Sequence, residues 1–169
     1  MYEKFGQFID GNWSPSSNKE TYKVINPATE EVLGHASKAT PVDVDRALKS
    51  AEKGLAIWRK TPPWQRAYTL RKIADMVREK KDVLAKWMTL ENGKPLAEGV
   101  GETNGAADIF EWNAEETKRI YGQIVESRFE DTRVHVYYQP IGVVAALSPW
   151  NFPLVLAARK ISTALAAGC

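Results

Sequence analysis

The sequence predicts an α/β fold, and three observations lead to this prediction. Strand-like segments occupy the first forty residues, segments with helical periodicity follow, and β-branched and aromatic residues return after Gly122. The continuous apolar run at residues 141–147 is typical of a strand buried on both faces of a parallel sheet. A loop and a helical pattern follow this run, and strand, loop and helix together make half of a βαβ unit. We therefore expect the chain to be the N-terminal part of a larger α/β protein.

The composition is that of a globular protein and excludes several classes. Of the 169 residues, 44% are hydrophobic and 26% are charged, which favours a packed core over disorder. A net charge of +2 indicates no nucleic-acid or membrane partner. The first six residues lack the apolar region of an export signal, and no apolar run reaches the ~20 residues of a spanning helix, so we expect a cytoplasmic protein. With Cys169 as the one cysteine, a disulfide within the chain is excluded.

The N-terminal region predicts three short strands. Phe8 and Ile9 precede residues 10–12, whose Asp-Gly-Asn sequence is typical of a hairpin turn. Residues 22–25 alternate and stop at an Asn-Pro pair, and residues 32–36 predict the third strand.

Three helical regions follow. Thr40 is a good N-cap, with Pro41 at the first helical position and Asp43 near the positive end of the helix dipole. Apolar residues then recur at helical spacing, and they are Val44, Leu48, Ala51, Leu55 and Trp58. Two prolines at residues 62–63 break this helix. The second region, which can divide into two pieces, stops at residues 92–95, and the third ends at residues 121–122. Residues 133–139 then predict a strand.

The loop at residues 148–153 carries the candidate chemistry. In parallel sheets, ligands bind outside the carboxyl ends of the strands, where this loop is expected. The amide of Asn151 can donate a hydrogen bond to a developing oxyanion. Phe152, Leu156 and Arg159 are spaced for one helix face, which suggests a pocket for a small acid with an apolar middle. The spacing alone favours a solvated helix residue for Arg159, because charged residues on helices mostly lie at the surface.

Ordered motifs along almost the whole chain resemble the NAD(P)-dependent aldehyde dehydrogenase superfamily. They are FIDGNW at 8–13, VINPAT at 24–29, ENGKP at 91–95, QPIGV at 139–143, SPWNFP at 148–153 and ALAAGC at 164–169. EWNAEE at 111–116 and KRIYG at 118–122 are similar to the succinate-semialdehyde dehydrogenase branch. In that branch an arginine at the position of Arg159 binds the substrate carboxylate.

The resemblance implies an incomplete Rossmann-like cofactor domain. Residues 1–124 would be its N-terminal strands and helices, and residues 125–140 would belong to a β-ribbon that joins subunits. Residues 141–169 would be the first buried strand, loop and helix of the dinucleotide-binding sheet. A homo-oligomer, a dimer or a tetramer, is therefore expected of the full-length protein.

The resemblance also implies roles for individual residues. Asn151 would hold the aldehyde oxygen, while Phe152 and Leu156 would line the substrate tunnel. The segment along the nicotinamide ribose of NAD or NADP would consist of Leu147, Ser148, Pro149, Trp150 and Asn151. A monovalent-cation site seen in some members would include Val24, Ile25 and Glu91.

Two functions remain open from the sequence. In the first, the parent protein oxidises a small-molecule aldehyde, a carboxylated semialdehyde such as succinate semialdehyde, to the acid through a thioester. The family's nucleophilic cysteine and general-base glutamate are expected beyond this chain, and the position of Cys169 is structural in the family. This piece alone is therefore expected to be inactive. In the second, the chain is a truncated, inactive remnant that acts as an interaction or ligand-binding module.

Overall fold

A computed structural model describes residues 6–169, so most of the segment inspected for an export signal lies outside the described residues. The strands are β1 (Gln7–Ile9), β2 (Asn12–Ser14), β3 (Thr21–Ile25), β4 (Val32–Ser37), β5 (Gln123–Glu126) and β6 (Arg133–Val136). The helices are α1 (Pro41–Trp58), α2 (Pro63–Glu79), α3 (Lys81–Asn92), α4 (Leu96–Thr117) and α5 (Pro153–Ala167). In the described part of the chain, no helix has both the length and the apolar character needed to cross a bilayer.

The strands form three separate antiparallel pairs: β1 with β2, β3 with β4, and β5 with β6. The predicted turn joins β1 to β2, and Asp10 and Gly11 adopt φ values of 53° and 76° there. Positive φ at both central residues matches the right-handed twist of the strands, which explains this sequence in the turn. The last pair is the hairpin in the segment where the subunit-joining ribbon is expected.

The start of α1 forms as its sequence predicts. The Thr40 hydroxyl accepts a hydrogen bond from the Asp43 N–H, and the Asp43 carboxylate accepts one from the Thr40 N–H. This reciprocal arrangement satisfies two N–H groups that a helix start otherwise leaves free.

The second helical region is indeed in two pieces. Pro63 occupies the first position of α2, where its missing N–H leaves nothing unpaired, and α3 begins directly after Lys80. At the end of α3, Gly93 adopts the left-handed conformation with φ of 80°. Glycine takes this conformation without a Cβ penalty, so the predicted stop is a helix C-cap.

The core surrounds α4, which packs against α2, α3 and α5. Most of its buried residues are alanines, so the helix backbones approach closely. The buried apolar residues of this core are Ala67, Leu70, Ala74, Ala106, Ala107, Phe110, Ala114, Ala158 and Ala166. A hydrogen bond also joins α1 to α5, because the Trp58 Nε1–H donates to the carbonyl of Leu165 at 2.9 Å.

The strand expected at residues 141–147 does not form within residues 6–169, and its place in the sheet of the full-length protein stays a prediction. The segment runs outside any sheet, and Ile141 and Leu147 are 91% and 81% exposed. A strand needs neighbouring strands to take up its N–H and C=O groups, and none of the strands within residues 6–169 pairs with it. Val44 and Leu48, two of the apolar residues that recur at helical spacing in α1, are exposed as well.

Candidate active site

The candidate loop leads directly into α5, and its end is fixed by a carboxylate from another helix. Phe152 is the N-cap of α5 and provides no side-chain cap, while Pro153 occupies the first helical position. Glu102 of α4 takes over the capping role, because its Oε1 accepts hydrogen bonds from the N–H groups of Leu154 at 2.9 Å and Val155 at 3.1 Å. The negative charge also matches the positive end of the α5 dipole.

Lys94 fixes the residues just before the helix. Its Nζ pairs with Glu102 Oε2, donates to the Asn151 carbonyl at 2.8 Å, and lies 4.3 Å from the centroid of the Phe152 ring. One ammonium group therefore contacts a carboxylate, a carbonyl and the face of an aromatic ring. These contacts fix the main chain of Asn151 and one side of Phe152.

Asn92 supplies a third attachment. Its Nδ2 donates to the Trp150 carbonyl at 2.9 Å. The main chain from Trp150 to Val155 is thus held at four points, residues 150, 151, 154 and 155, by residues of α3, α4 and the connection between them. The Asn151 side chain is exposed, and within residues 6–169 its amide makes no hydrogen bond. The arrangement presents an amide donor on a fixed backbone, which is the requirement for stabilising an oxyanion.

The predicted substrate residues follow along α5. Phe152 is exposed, Leu156 is half-buried, and Arg159 is exposed and forms no ion pair within the described residues. Their spacing places them on one side of the helix. A neighbouring face of the helix carries Ala158, Ser162 and Ala166 into the core, as expected for an amphipathic helix.

The predicted cofactor residues form the exposed approach to this loop. Leu147, Ser148, Pro149 and Trp150 are all exposed. Within residues 6–169 the main-chain groups of Leu147 and Ser148 make no hydrogen bond. Free main-chain donors and acceptors are compatible with binding to a ribose, so this segment fits the role that the resemblance implies.

The predicted cation residues lie on two different elements. Val24 and Ile25 are at the end of β3, and Glu91 is in the last turn of α3. Glu91 lines a cavity of about 210 Å³ with Trp87, Met88 and Leu154, and partial burial raises the pKa of its carboxyl. Among residues 6–169, no group of three or more His, Cys, Asp or Glu side chains is placed to hold a metal ion. The cation site stays a prediction.

The sequence profile of the aldehyde dehydrogenase family matches residues 13–169. The chain belongs to the aldehyde dehydrogenase family.

Individual members of the family are similar over nearly the whole chain. Glutarate-semialdehyde dehydrogenase of Pseudomonas aeruginosa is 46% identical over 96% of this chain and 34% of its own length. Succinate-semialdehyde dehydrogenase (NADP(+)) of Escherichia coli is 45% identical over 95% of this chain and 33% of its own length. A crystal structure of betaine aldehyde dehydrogenase from Staphylococcus aureus, in complex with NAD+, superposes with a TM-score of 0.93 at 35% identity, over 97% of this chain and 33% of that chain.

These similarities confirm the recognition of the aldehyde dehydrogenase superfamily and of its semialdehyde branch. They also confirm the fold class, an α/β chain that covers the N-terminal part of the aldehyde dehydrogenase fold. The chain spans about a third of the length of the curated relatives that it matches.

Sequence reasoning missed the residues that hold the aldehyde dehydrogenase loop in place. Asn92 and Lys94 enter the sequence analysis only through the helix stop and the ENGKP motif, and Glu102 is not singled out there. Glutamate and lysine within or beside a helix are usually solvated, so their residue types gave no signal. A hint was available in α5, because Phe152 is a poor N-cap and the helix start therefore needs a partner from elsewhere.

Proposed function

We propose that this chain forms one wall of the active site of an NAD(P)-dependent aldehyde dehydrogenase that oxidises a short carboxylated semialdehyde. Succinate semialdehyde is the leading candidate, and glutarate semialdehyde is its nearest chemical alternative. The observation that carries the proposal is the attachment of the loop, with the exposed Asn151 amide held on a backbone fixed by Lys94 and Glu102. Matching names among relatives support the substrate class.

Each residue has one task in this proposal. The Asn151 amide donates to the aldehyde oxygen as it gains negative charge, and Phe152 and Leu156 contact the apolar middle of the substrate. Arg159 pairs with the remote carboxylate through charge-assisted hydrogen bonds. NAD or NADP, when bound, accepts the hydride. The exposed main chain of Leu147, Ser148, Pro149 and Trp150 positions the ribose beside Asn151.

Oligomerisation and cation binding are further parts of the proposal. The β5–β6 hairpin exposes Ile124, Tyr137 and Tyr138 on and beside a two-stranded ribbon whose outer edges are unpaired within residues 6–169. Such edges pair readily with another chain, which supports a homodimer or homotetramer of the full-length protein. A monovalent cation would bind near Val24, Ile25 and Glu91.

Replacing Arg159 tests the carboxylate contact. In the full-length enzyme, we expect Arg159→Ala to raise KM for succinate semialdehyde by about 10-fold to 100-fold, since a charge-assisted pair contributes about 1.5–3 kcal/mol. KM for an uncharged aldehyde of equal length should change less than about twofold.

Lys160→Ala is the matched control, because Lys160 is the neighbouring exposed cation on α5. Its Nζ donates only a long hydrogen bond, at 3.4 Å, to the Leu156 carbonyl. It should leave both KM values unchanged. An equal rise for the charged and the uncharged aldehyde in Arg159→Ala would exclude the carboxylate role.

We also propose that the nucleophilic cysteine and the general-base glutamate lie beyond this chain. The purified 169-residue chain should then produce no NAD(P)H from succinate semialdehyde, whereas the full-length enzyme should produce it. Intact-mass measurement identifies which species is being assayed: 18.9 kDa for the chain, and about three times that for a protein of the relatives' length. Turnover by the 18.9 kDa species would contradict this part of the proposal.

A further inference from the structure

A fully buried ion pair lies directly beneath the candidate loop. The side chains of Lys94 and Glu102 are only 6% and 0% exposed, whereas lysine and glutamate are almost never buried unless they are paired. Both charges are fully engaged by the loop and α5, because Glu102 accepts from Leu154 and Val155 while Lys94 donates to Asn151. The pair therefore connects α4 to the residue that carries the candidate oxyanion donor.

We propose that Lys94 and Glu102 are positioning residues that act on the reaction through Asn151. This inference rests on the proposed function, in which the Asn151 amide stabilises the oxyanion. Glu102 fixes the axis and first turn of α5, and Lys94 fixes the carbonyl of the same residue whose amide must reach the substrate. With the main chain fixed in these two ways, the Asn151 side chain can move only by rotation about its own bonds.

The physical reason is that electrostatic stabilisation depends on donors that are already in place. A donor that must be reoriented during the reaction loses much of its effect, and a displacement of about 1 Å can cost about 100-fold in rate. Lys94 also lies against the Phe152 ring, so the same ammonium group sets the neighbouring substrate wall. Because Phe152 binds the apolar middle of the substrate, loss of this ring contact should change KM, whereas loss of the Asn151 contact should change kcat.

The pair has a second consequence for the site. The N–H groups of Leu154 and Val155 already donate to Glu102. The Glu102 carboxylate therefore neutralises the partial positive charge at the start of α5. Anionic groups of the substrate must be bound elsewhere, which agrees with the assignment of the carboxylate to Arg159, nearly two turns further along the helix.

A double-mutant cycle in the full-length enzyme tests the proposal. The kcat for succinate semialdehyde is measured for the unmodified enzyme, Lys94→Met, Asn151→Ala and the double variant. We expect Asn151→Ala to lower kcat about 100-fold or more, as seen when an oxyanion donor is removed. Lys94→Met should lower kcat about 10-fold or more when Asn151 is present and less than about twofold when it is absent.

The melting temperature serves as the structural readout. A merely structural Lys94 would lower the melting temperature and kcat alike in both backgrounds, whereas a positioning Lys94 affects kcat only when Asn151 is present. Lys86→Met, which replaces an exposed lysine of α3 without an ion pair in the described structure, is the matched control and should change neither quantity.

The outcomes separate the two proposals. An unchanged kcat in Asn151→Ala would overturn the proposed function, and the positioning role with it. A large loss in Asn151→Ala, combined with equal losses from Lys94→Met in both backgrounds or with none, would overturn the positioning role alone. If Lys94→Met does not fold, Glu102→Gln is used in the same cycle, because it keeps an oxygen for the two α5 N–H groups and removes the charge that Lys94 pairs with.

Discussion

Asp43 joins two parts of the chain through a single carboxylate. Its two oxygens accept hydrogen bonds from the Thr40 N–H at 3.0 Å and from the Ser17 N–H at 3.1 Å. Ser17 lies between β2 and β3, so the helix cap also fixes the preceding strands to α1. The Asp43 side chain is buried in this arrangement, with Arg46 nearby at 3.5 Å.

These hydrogen bonds predict that the stability of the folded protein decreases at acidic pH. The Thr40 N–H, opposed by burial and helped by Ser17, lowers the pKa of Asp43 from 3.8 to about 2. Because the folded state favours the ionised carboxylate, its contribution to stability is complete above about pH 4 and is lost as the pH falls towards 2. In Asp43→Asn, the melting temperature should fall at neutral pH and should change less steeply with pH across this range.

Differential scanning calorimetry from pH 7 to pH 2 measures this effect. Asp45→Asn is the matched control, because Asp45 is an exposed carboxylate of α1 with no hydrogen bond or ion pair within residues 6–169. It should retain the acid dependence of the unmodified chain. An Asp43→Asn profile parallel to the unmodified profile would show that this carboxyl does not couple folding to pH.

Among the secondary-structure elements, α4 lies at the centre of the helix packing. It carries Glu102 to the loop and contacts three other helices. On its α3 side the backbones come very close at Gly99, where an added Cβ would lie 2.9 Å from the Ala85 carbonyl oxygen. The small residue thus sets the distance between α3 and α4, and with it the relative placement of Lys94 and Glu102.

Alanine substitutions at two glycines of α4 should therefore have opposite effects. Gly99→Ala must push α3 away and should destabilise the protein by about 1–3 kcal/mol, because backbone cannot yield as a side chain does. Gly101→Ala meets no atom within 4 Å and should stabilise the helix by about 0.5–1 kcal/mol. Urea unfolding followed by circular dichroism measures both, and a stabilising Gly99→Ala would disprove the close contact.

In the molecule as a whole, α2, α3, α4 and α5 form a packed group, while residues 141–147 lie outside any sheet and are mostly exposed. An apolar cavity of about 410 Å³ separates this segment from α1 and α5, with Leu55, Trp58, Val144 and Leu165 in its wall. Exposed apolar chain of this kind has unpaired main-chain groups as well as unburied side chains. Both needs are met when further strands pair with it and cover it.

Hydrogen exchange tests whether residues 141–147 become a central strand in the full-length enzyme. We expect amides of this segment to exchange at least about 100-fold more slowly in the full-length enzyme than in the 169-residue chain, because only strand pairing protects them. Amides of residues 103–110 in α4 should be protected in both proteins and serve as the internal control. Equal, fast exchange of residues 141–147 in both would contradict a central strand.

Local signals were sufficient for most elements. The capping box at Thr40 and Asp43, the two prolines at residues 62–63 and Gly93 each act within a few residues of chain, so their effects can be read from the sequence. The hairpin turn at residues 10–12 is local in the same sense. The motifs that resemble the family are local as well, and the roles that they imply for Asn151 and Arg159 stay predictions.

The sequence by itself determined the family and most of the elements, because these depend on ordered motifs and on local conformation. The tertiary structure decided which side chains hold Asn151. Asn92, Lys94 and Glu102 bind a loop more than fifty residues away along the chain, and only folding brings them there. It also decided that residues 141–147 pair with no strand within residues 6–169, because a strand is defined by its neighbours and not by its own apolar sequence.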